Sequence, residues 1–219
     1  MAQLIVNSLP YLLEGLGITV ALAISMLALG LVIGPGLALM QVYGRYGAPL
    51  LATLFERFFR AVPAVVLLFL FYYGISSFYN IPSFPAAVLA LGLRTASYQS
   101  QIFRGAIQSV PTGQMTAARS IGLSQPASIC FVIMPQALRQ AIGPWTNEAL
   151  SELKDTSLAY TIGVVELMRH ASYTISANYG HTLSIYVTAA AMYLIVSLLT
   201  TRALSILKRK LAIPGFEHT

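Results

Sequence analysis

The chain has 219 residues, of which 57% are hydrophobic and 9% charged, and it carries a net charge of +6. A soluble domain has roughly 25% charged residues, so the composition excludes an ordinary soluble fold and defines an integral membrane protein. The excess positive charge fits membrane edges rather than nucleic acid, because the basic residues fall between apolar stretches and leave no basic face; the single cysteine, Cys130, excludes an internal disulfide.

The opening "MAQLIVNSLPYLLEG" lacks the positive n-region of a signal peptide, so the first apolar segment is expected to be retained. Residues 15–41 form the first predicted span, uncharged and long enough to cross, with Gly34-Pro35-Gly36 tolerable inside it if neighbours satisfy the freed backbone. "QVYGRYGAP" reads as a turn. The next apolar run is too long for one crossing, and Asn80, Pro82 and Pro85 divide it into spans at 58–79 and 84–104. Residues 137–168 are helical in pattern but carry Arg139, Glu148, Glu152, Lys154, Asp155 and Glu166. The last span is 183–204, stopped by Lys208, Arg209 and Lys210.

Arg45, Arg57 and Arg60 precede the second span; Arg104, Arg119 and Arg139 follow the third; Arg202 and the basic residues 208–210 close the chain. Placing all three groups in the cytoplasm satisfies the positive-inside rule and requires one more crossing, at 138–158. The expectation is an all-α membrane domain over 1–219 with five spans, the N-terminus outside and the C-terminus inside. Residues 159–182 then form an outer loop. His170 and His181 lie on it without a metal-ligand pattern, and Tyr11, Trp145, Tyr160, Tyr173 and Tyr179 read as interface anchors or packing.

The cytoplasmic stretch 111–136 is unlike a span. Pro111 precedes a short helix over about 112–121, ended by Gly122 in a left-handed conformation. Ser124 caps a second helix with Pro126 in its first turn, and Pro135 disrupts or ends it. By itself this is a helical loop, or a lever across the mouth of the bundle.

The stretch resembles the coupling loop of permease subunits of ATP-binding-cassette importers. That pattern runs Glu-Ala-Ala, then a glycine four residues on, then isoleucine, one residue and proline. Ala117, Ala118, Gly122, Ile133 and Pro135 match, with Thr116 in place of the acid and Arg119 beside the alanines. "FRAVPAVVLLFLFYYG", "SYQSQIFRGAIQSVPTGQ" and "NEALSELKDTSLAYTIGVVEL" are similar to segments of the polar amino acid branch of these permeases; Gln101 replaces a glutamate usual there. The resemblance implies a transport subunit of the bacterial inner membrane, not an enzyme. It implies a pair of permease chains around a pathway, two partner ATPases that hold ATP and Mg, and an extracytoplasmic amino-acid-binding protein. This chain would bind no cofactor or metal itself, and it has no GxxxxGK[ST] loop.

Intramembrane polar groups mark the pathway. Arg94 lies ten residues into the third span, about 15 Å deep, with Thr95 and Tyr98 near it. Asn147, Glu148, Glu152 and Ser157 lie on the fourth, Glu148 and Glu152 sharing a face. Arg94 either meets a substrate carboxylate or pairs with Glu148 or Glu152, while Lys154 and Asp155 neutralise each other at the rim. An arginine fork suits an acidic or opine-like amino acid, and the two glutamates suit an amine. Two other classes stay open: a secondary transporter or channel, which would show internal repeats, and an intramembrane enzyme, for which Glu148 and Glu152 are the only acid pair. No repeat at motif level and no nucleophile accompanies them.

Overall fold

A computed structural model describes residues 2–211, with side chains from 3 to 206. The basic side chains of Lys208, Arg209 and Lys210 lie outside the described residues. The described chain is helical throughout and without strands: α1 (Ala2–Tyr43), α2 (Ala48–Ala61), α3 (Ala64–Phe69), α4 (Ser83–Ser109), α5 (Thr112–Ser120), α6 (Gln125–Ser128), α7 (Met134–Asp155), α8 (Leu167–Ala177) and α9 (Thr182–Leu211). Two stretches, Gln3–Tyr43 and Tyr179–Ile206, are long and apolar enough to cross a membrane by length and composition.

The centre of the bundle is α4, held against α1 by small residues. Gly30 and Gly34 of α1 lie one turn apart and face Thr95, Ala96, Gln99 and Ser100 of α4. A Cβ added at Gly34 would stand 2.9 Å from the Gln99 Cβ and 3.2 Å from the Ala96 carbonyl oxygen. In return Gly92 of α4 accepts the Leu29 side chain. Without a hydrophobic driving force between helices in lipid, close backbone approach through such small-residue pairs is what holds them. Pro10 and Pro35 sit inside α1 without ending it.

Three apolar clusters surround this pair. One joins α1, α3 and α4 to Ala159, Ile162 and Val164. A second joins α1 and α4 to Ile133, Ala137 and Ala141. The third joins α1 to α8 and α9 through Leu12, Leu167, Ala171 and Ile185.

Three expectations change and a fourth is narrowed. The segment predicted as the span 58–79 is not one helix. Pro63 has no N–H and disfavours helical geometry at the residue before it, so Val62 is extended (φ −79°, ψ 129°) and separates α2 from α3. Beyond α3 the chain continues as a π turn over Leu70–Gly74. The predicted span 138–158 ends as an α-helix at Asp155 and continues as a 3₁₀ segment, Thr156–Ile162, to Gly163 in the left-handed conformation (φ +90°). Residues 159–182 are no open loop: Ala159, Ile162, Val164, Glu166, Leu167, His170 and Ala171 are buried, and α8 packs along α1 and α9. Finally, Pro135 disrupts its helix, as one of the two expected outcomes has it, but does not end it. The π turn Ile129–Ile133 directly before it absorbs the missing N–H, and α6 runs through into α7.

Candidate functional site

Arg94 stands near the middle of α4, and its Nη1 donates to Asp155 Oδ2 at 2.9 Å and to Glu152 Oε1 at 3.4 Å. The Arg94 guanidinium also lies 4.9 Å from the Tyr98 ring centroid. Glu152 is the buried member, its side chain 1% exposed against 17% for Arg94 and 30% for Asp155. Its second oxygen, Oε2, is buried without a hydrogen-bond partner. Of the two arrangements open from sequence for Arg94, the structure contains the ion pair, with Glu152 and Asp155 rather than Glu148 as the contacts. Asp155 therefore does not pair with Lys154, which is exposed and in no ion pair among the described residues.

A second arginine reaches the same aromatic ring. Arg60 is bound by Glu56 one turn before it, and its guanidinium lies 5.2 Å from the Tyr98 centroid. Tyr98 is fifteen residues into α4, about 22 Å from its start. Arg60, its side chain 44% exposed, thus reaches the same Tyr98 ring as Arg94. The break at Val62–Pro63 carries it there, because α2 packs along α4 before the chain turns into α3.

Below this centre α4 and α7 run antiparallel in a fixed register. Arg94 meets Asp155, and fifteen residues along each helix Ser109 bonds to Gln140. The same register sets Gln101 opposite Glu148 and Gly105 opposite Pro144. A cavity of about 370 Å³ opens there, lined by Gln101, Gly105, Ser109, Gln140 and Pro144 among others. The helix pair is therefore a seam, with ion pairs at one end and a cavity of uncharged lining at the other.

Not every predicted residue gathers at the seam. Arg94, Tyr98 and Glu152 do, and Glu148 lies beside Glu152 on the next turn. The Thr95 hydroxyl is fully buried and donates to the Leu91 carbonyl of its own helix. Asn147 lines a different cavity, between α7 and α9, with Thr146, Thr201 and Ser205. Ser157 lies in the 3₁₀ segment, and among the described residues no hydrogen bond reaches its side chain.

The α5–α6 unit matches its sequence reading closely. Gly122 is left-handed (φ +89°), the Leu123 N–H donates to Ala118 O at 3.2 Å, and the Gly122 N–H donates to Arg119 O at 3.1 Å. This pair of bonds is the Schellman motif, which satisfies carbonyls that a helix end leaves free. Arg119 Nη1 donates to Leu123 O at 2.9 Å and braces the same turn. The Ser124 side chain accepts from the Ala127 N–H, with Pro126 behind it. Thr116, Ala117, Arg119 and Pro135 are exposed, and so is Ile121 at the turn; Ala118 alone faces inward.

Sequence reasoning also passed over a buried acid away from the seam. Glu166 caps α8, accepting from the Met168 and Arg169 N–H groups at 2.9 Å each, and from Tyr193 at 2.8 Å and Thr19 at 3.4 Å. One carboxylate thereby ties α1, α8 and α9 together. His170 packs against Tyr11 and leaves no room for a side chain at Gly15, so it is a packing residue and not a loop histidine.

A helical bundle with a charged seam in its apolar interior and an exposed helix–turn–helix at one end is built as the membrane component of a transport system. Comparison with known proteins gives the family. Residues 50–213 match the binding-protein-dependent transport system inner membrane component family. The chain is 36% identical over 211 residues to the nopaline transport system permease protein NocM of Agrobacterium fabrum, covering 91% of this chain and 87% of that one. It is 34% identical to the glutamine transport system permease protein GlnP of Escherichia coli, covering 94% and 95%. Among solved structures it is similar to an amino acid ABC transporter crystallised with histidines, at a TM-score of 0.86 and 32% identity over 94% of this chain and 96% of that one. The MetNI methionine ABC transporter shares the fold at a TM-score of 0.81 and 19% identity. The chain belongs to the binding-protein-dependent transport system inner membrane component family. It is a membrane transport subunit and not an enzyme.

Proposed function

We propose that the chain is the permease subunit of an ATP-driven importer for polar amino acids. Its named relatives serve nopaline, octopine, glutamine and glutamate/aspartate transport. The observation that carries the reading is the α5–α6 unit. It stands exposed at one end of the bundle, closed by the Gly122 turn, and runs without a break into the helix that bears Glu148, Glu152 and Asp155. Residues 111–136, with Thr116, Ala117, Ala118, Arg119, Gly122 and Pro135, form the contact for the ATPase.

The solute path follows the α4–α7 seam, with Arg94, Tyr98, Glu148 and Glu152 at its charged end; Thr95, Asn147 and Ser157 flank it. Five crossings fit the element order if α2 and α3 together make the second and α7 with its 3₁₀ extension the fourth. The N-terminus is then extracytoplasmic and the C-terminus cytoplasmic, in a bacterial inner membrane. Two ATPase chains, a second permease chain and an extracytoplasmic binding protein complete the assembly, with ATP and Mg held by the ATPases. The test is co-purification with the ATPase, followed by reconstitution and measurement of ATP hydrolysis with binding protein and a panel of amino acids. Hydrolysis stimulated by none of the panel, or absence of a co-purifying ATPase, would defeat the proposal.

A further inference from the structure

The charges around the seam do not balance. Two cations, Arg60 and Arg94, meet four carboxyl groups, those of Glu56, Glu148, Glu152 and Asp155. Both cations are committed: Arg60 to Glu56, and Arg94 to Asp155 and one oxygen of Glu152. Glu148 is in no ion pair among the described residues. Beside it, Glu152 Oε2 is buried with no hydrogen-bond partner. A buried carboxylate oxygen without a partner is costly, and two adjacent carboxylates repel unless a positive group lies between them.

We infer that the seam selects an amino acid with a cationic side chain, an ammonium or guanidinium, through Glu148 and the free oxygen of Glu152. The inference rests on the proposed importer reading and names its substrate class. It reverses the preference that Arg94 suggests in isolation. Arg94 already shares its charge with the protein's own acids, through Nη1, to Asp155 and Glu152, whereas Glu148 has no counter-ion among the described residues. A guanidinium or ammonium supplies the donors that Glu152 Oε2 and Glu148 lack.

The uncharged end of the seam fits passage of such a solute. By the helix register Gln101 lies level with Glu148, its amide donating to Gln41 of α1, and beyond it the cavity lining offers Ser109 and Gln140 but no carboxylate. A cation drawn to the two glutamates meets a cavity lining without carboxylates one or two turns further on. It is held where the charges are and released where they end.

The experiment uses the intact permease–ATPase complex in detergent without its binding protein, so that selectivity of the permease is read directly. Equilibrium binding of arginine, lysine, glutamine and glutamate is measured at pH 7. Arginine and lysine are expected to bind about tenfold more tightly than glutamine or glutamate. Glu148→Gln is expected to cost about tenfold in arginine affinity and much less in glutamine affinity. Glutamine or glutamate binding as tightly as arginine would overturn the cation inference while leaving the importer reading intact. Undiminished arginine binding by Glu148→Gln would do the same, as would neutralisation of the pair by a proton, seen as equal binding of arginine and glutamine. Binding of none of the four would remove the amino acid reading and this inference together.

Discussion

Replacing Arg94 by glutamine removes the one cation that touches both Glu152 and Asp155. The two losses differ in size. Asp155 keeps contact with solvent, at 30% exposure, and an exposed partner of that kind is worth at most about 1 kcal/mol. Glu152 is 1% exposed and already leaves one oxygen unbonded. Stranding a buried carboxylate costs about 3–5 kcal/mol. The 3.4 Å contact is long for a charge-assisted bond, so the lower end applies, about 3 kcal/mol. A chain of this size shifts by about 2–4 °C per kcal/mol, which gives a fall of about 6–12 °C in the melting temperature of the purified complex. Arg94→Lys keeps the charge but loses the fork and the stacking on Tyr98, and is expected to lose less than half as much. The decisive variant is Arg94→Gln combined with Glu152→Gln, which removes the stranded charge together with its partner. It is expected to regain more than half of the lost stability. Wild-type stability of Arg94→Gln, or a double variant no better than the single, would refute the assignment of the ion pair as the structural centre of the seam.

Gly122→Val forces a β-branched side chain into a left-handed position at a cost of about 1 kcal/mol or more; ATPase co-purification is expected to fall while membrane insertion persists, and full transport with normal ATPase association would contradict the coupling role. In a background with the exposed Cys130 replaced, single cysteines at Ser120 and Ser176, both exposed, are expected to label from opposite faces of the membrane with an impermeant thiol reagent. Labelling from one face would remove the crossing between them. Gly34→Ala sets a methyl 2.9 Å from the Gln99 Cβ and is expected to destabilise by about 1–3 kcal/mol. Gly36→Ala, with nothing within 4 Å of the added methyl, is its neutral control in thermal unfolding.

The helices were legible where sequence physics is local. The α4 start, the Gly122 turn and the Ser124 cap follow from proline, glycine and hydroxyl chemistry within a few residues, while α4 itself runs on to Ser109, past the predicted end at 104. What failed depended on partners distant in sequence. The contact of Arg60 with Tyr98 has no local signal, because the α2–α4 packing makes it. Asp155 looked neutralised by its neighbour Lys154, yet adjacent residues on a helix face different ways, and Arg94 lies on the Asp155 side. Asn147 was grouped with Glu148 on sequence proximity and falls on the neighbouring face towards α9. Two signals were present and unused. Gly30 and Gly34 form a GxxxG pair that marks close helix contact, and Glu166 stands just before a helical run as an N-cap acid.

The unbroken path from Gln125 to Asp155 limits how this gene can change length. An α-helix turns about 100° per residue. A single codon gained or lost anywhere between Met134 and Asn147 would swing Glu148, Glu152 and Asp155 away from α4 and strip Arg94 of both its partners at once. The π turn at Ile129–Ile133 lies upstream of that interval and already holds one more residue per turn than an α-helix does. A change of one residue at the π turn would leave the phase of α7 against α4 untouched, whereas the same change in the helix that follows would not.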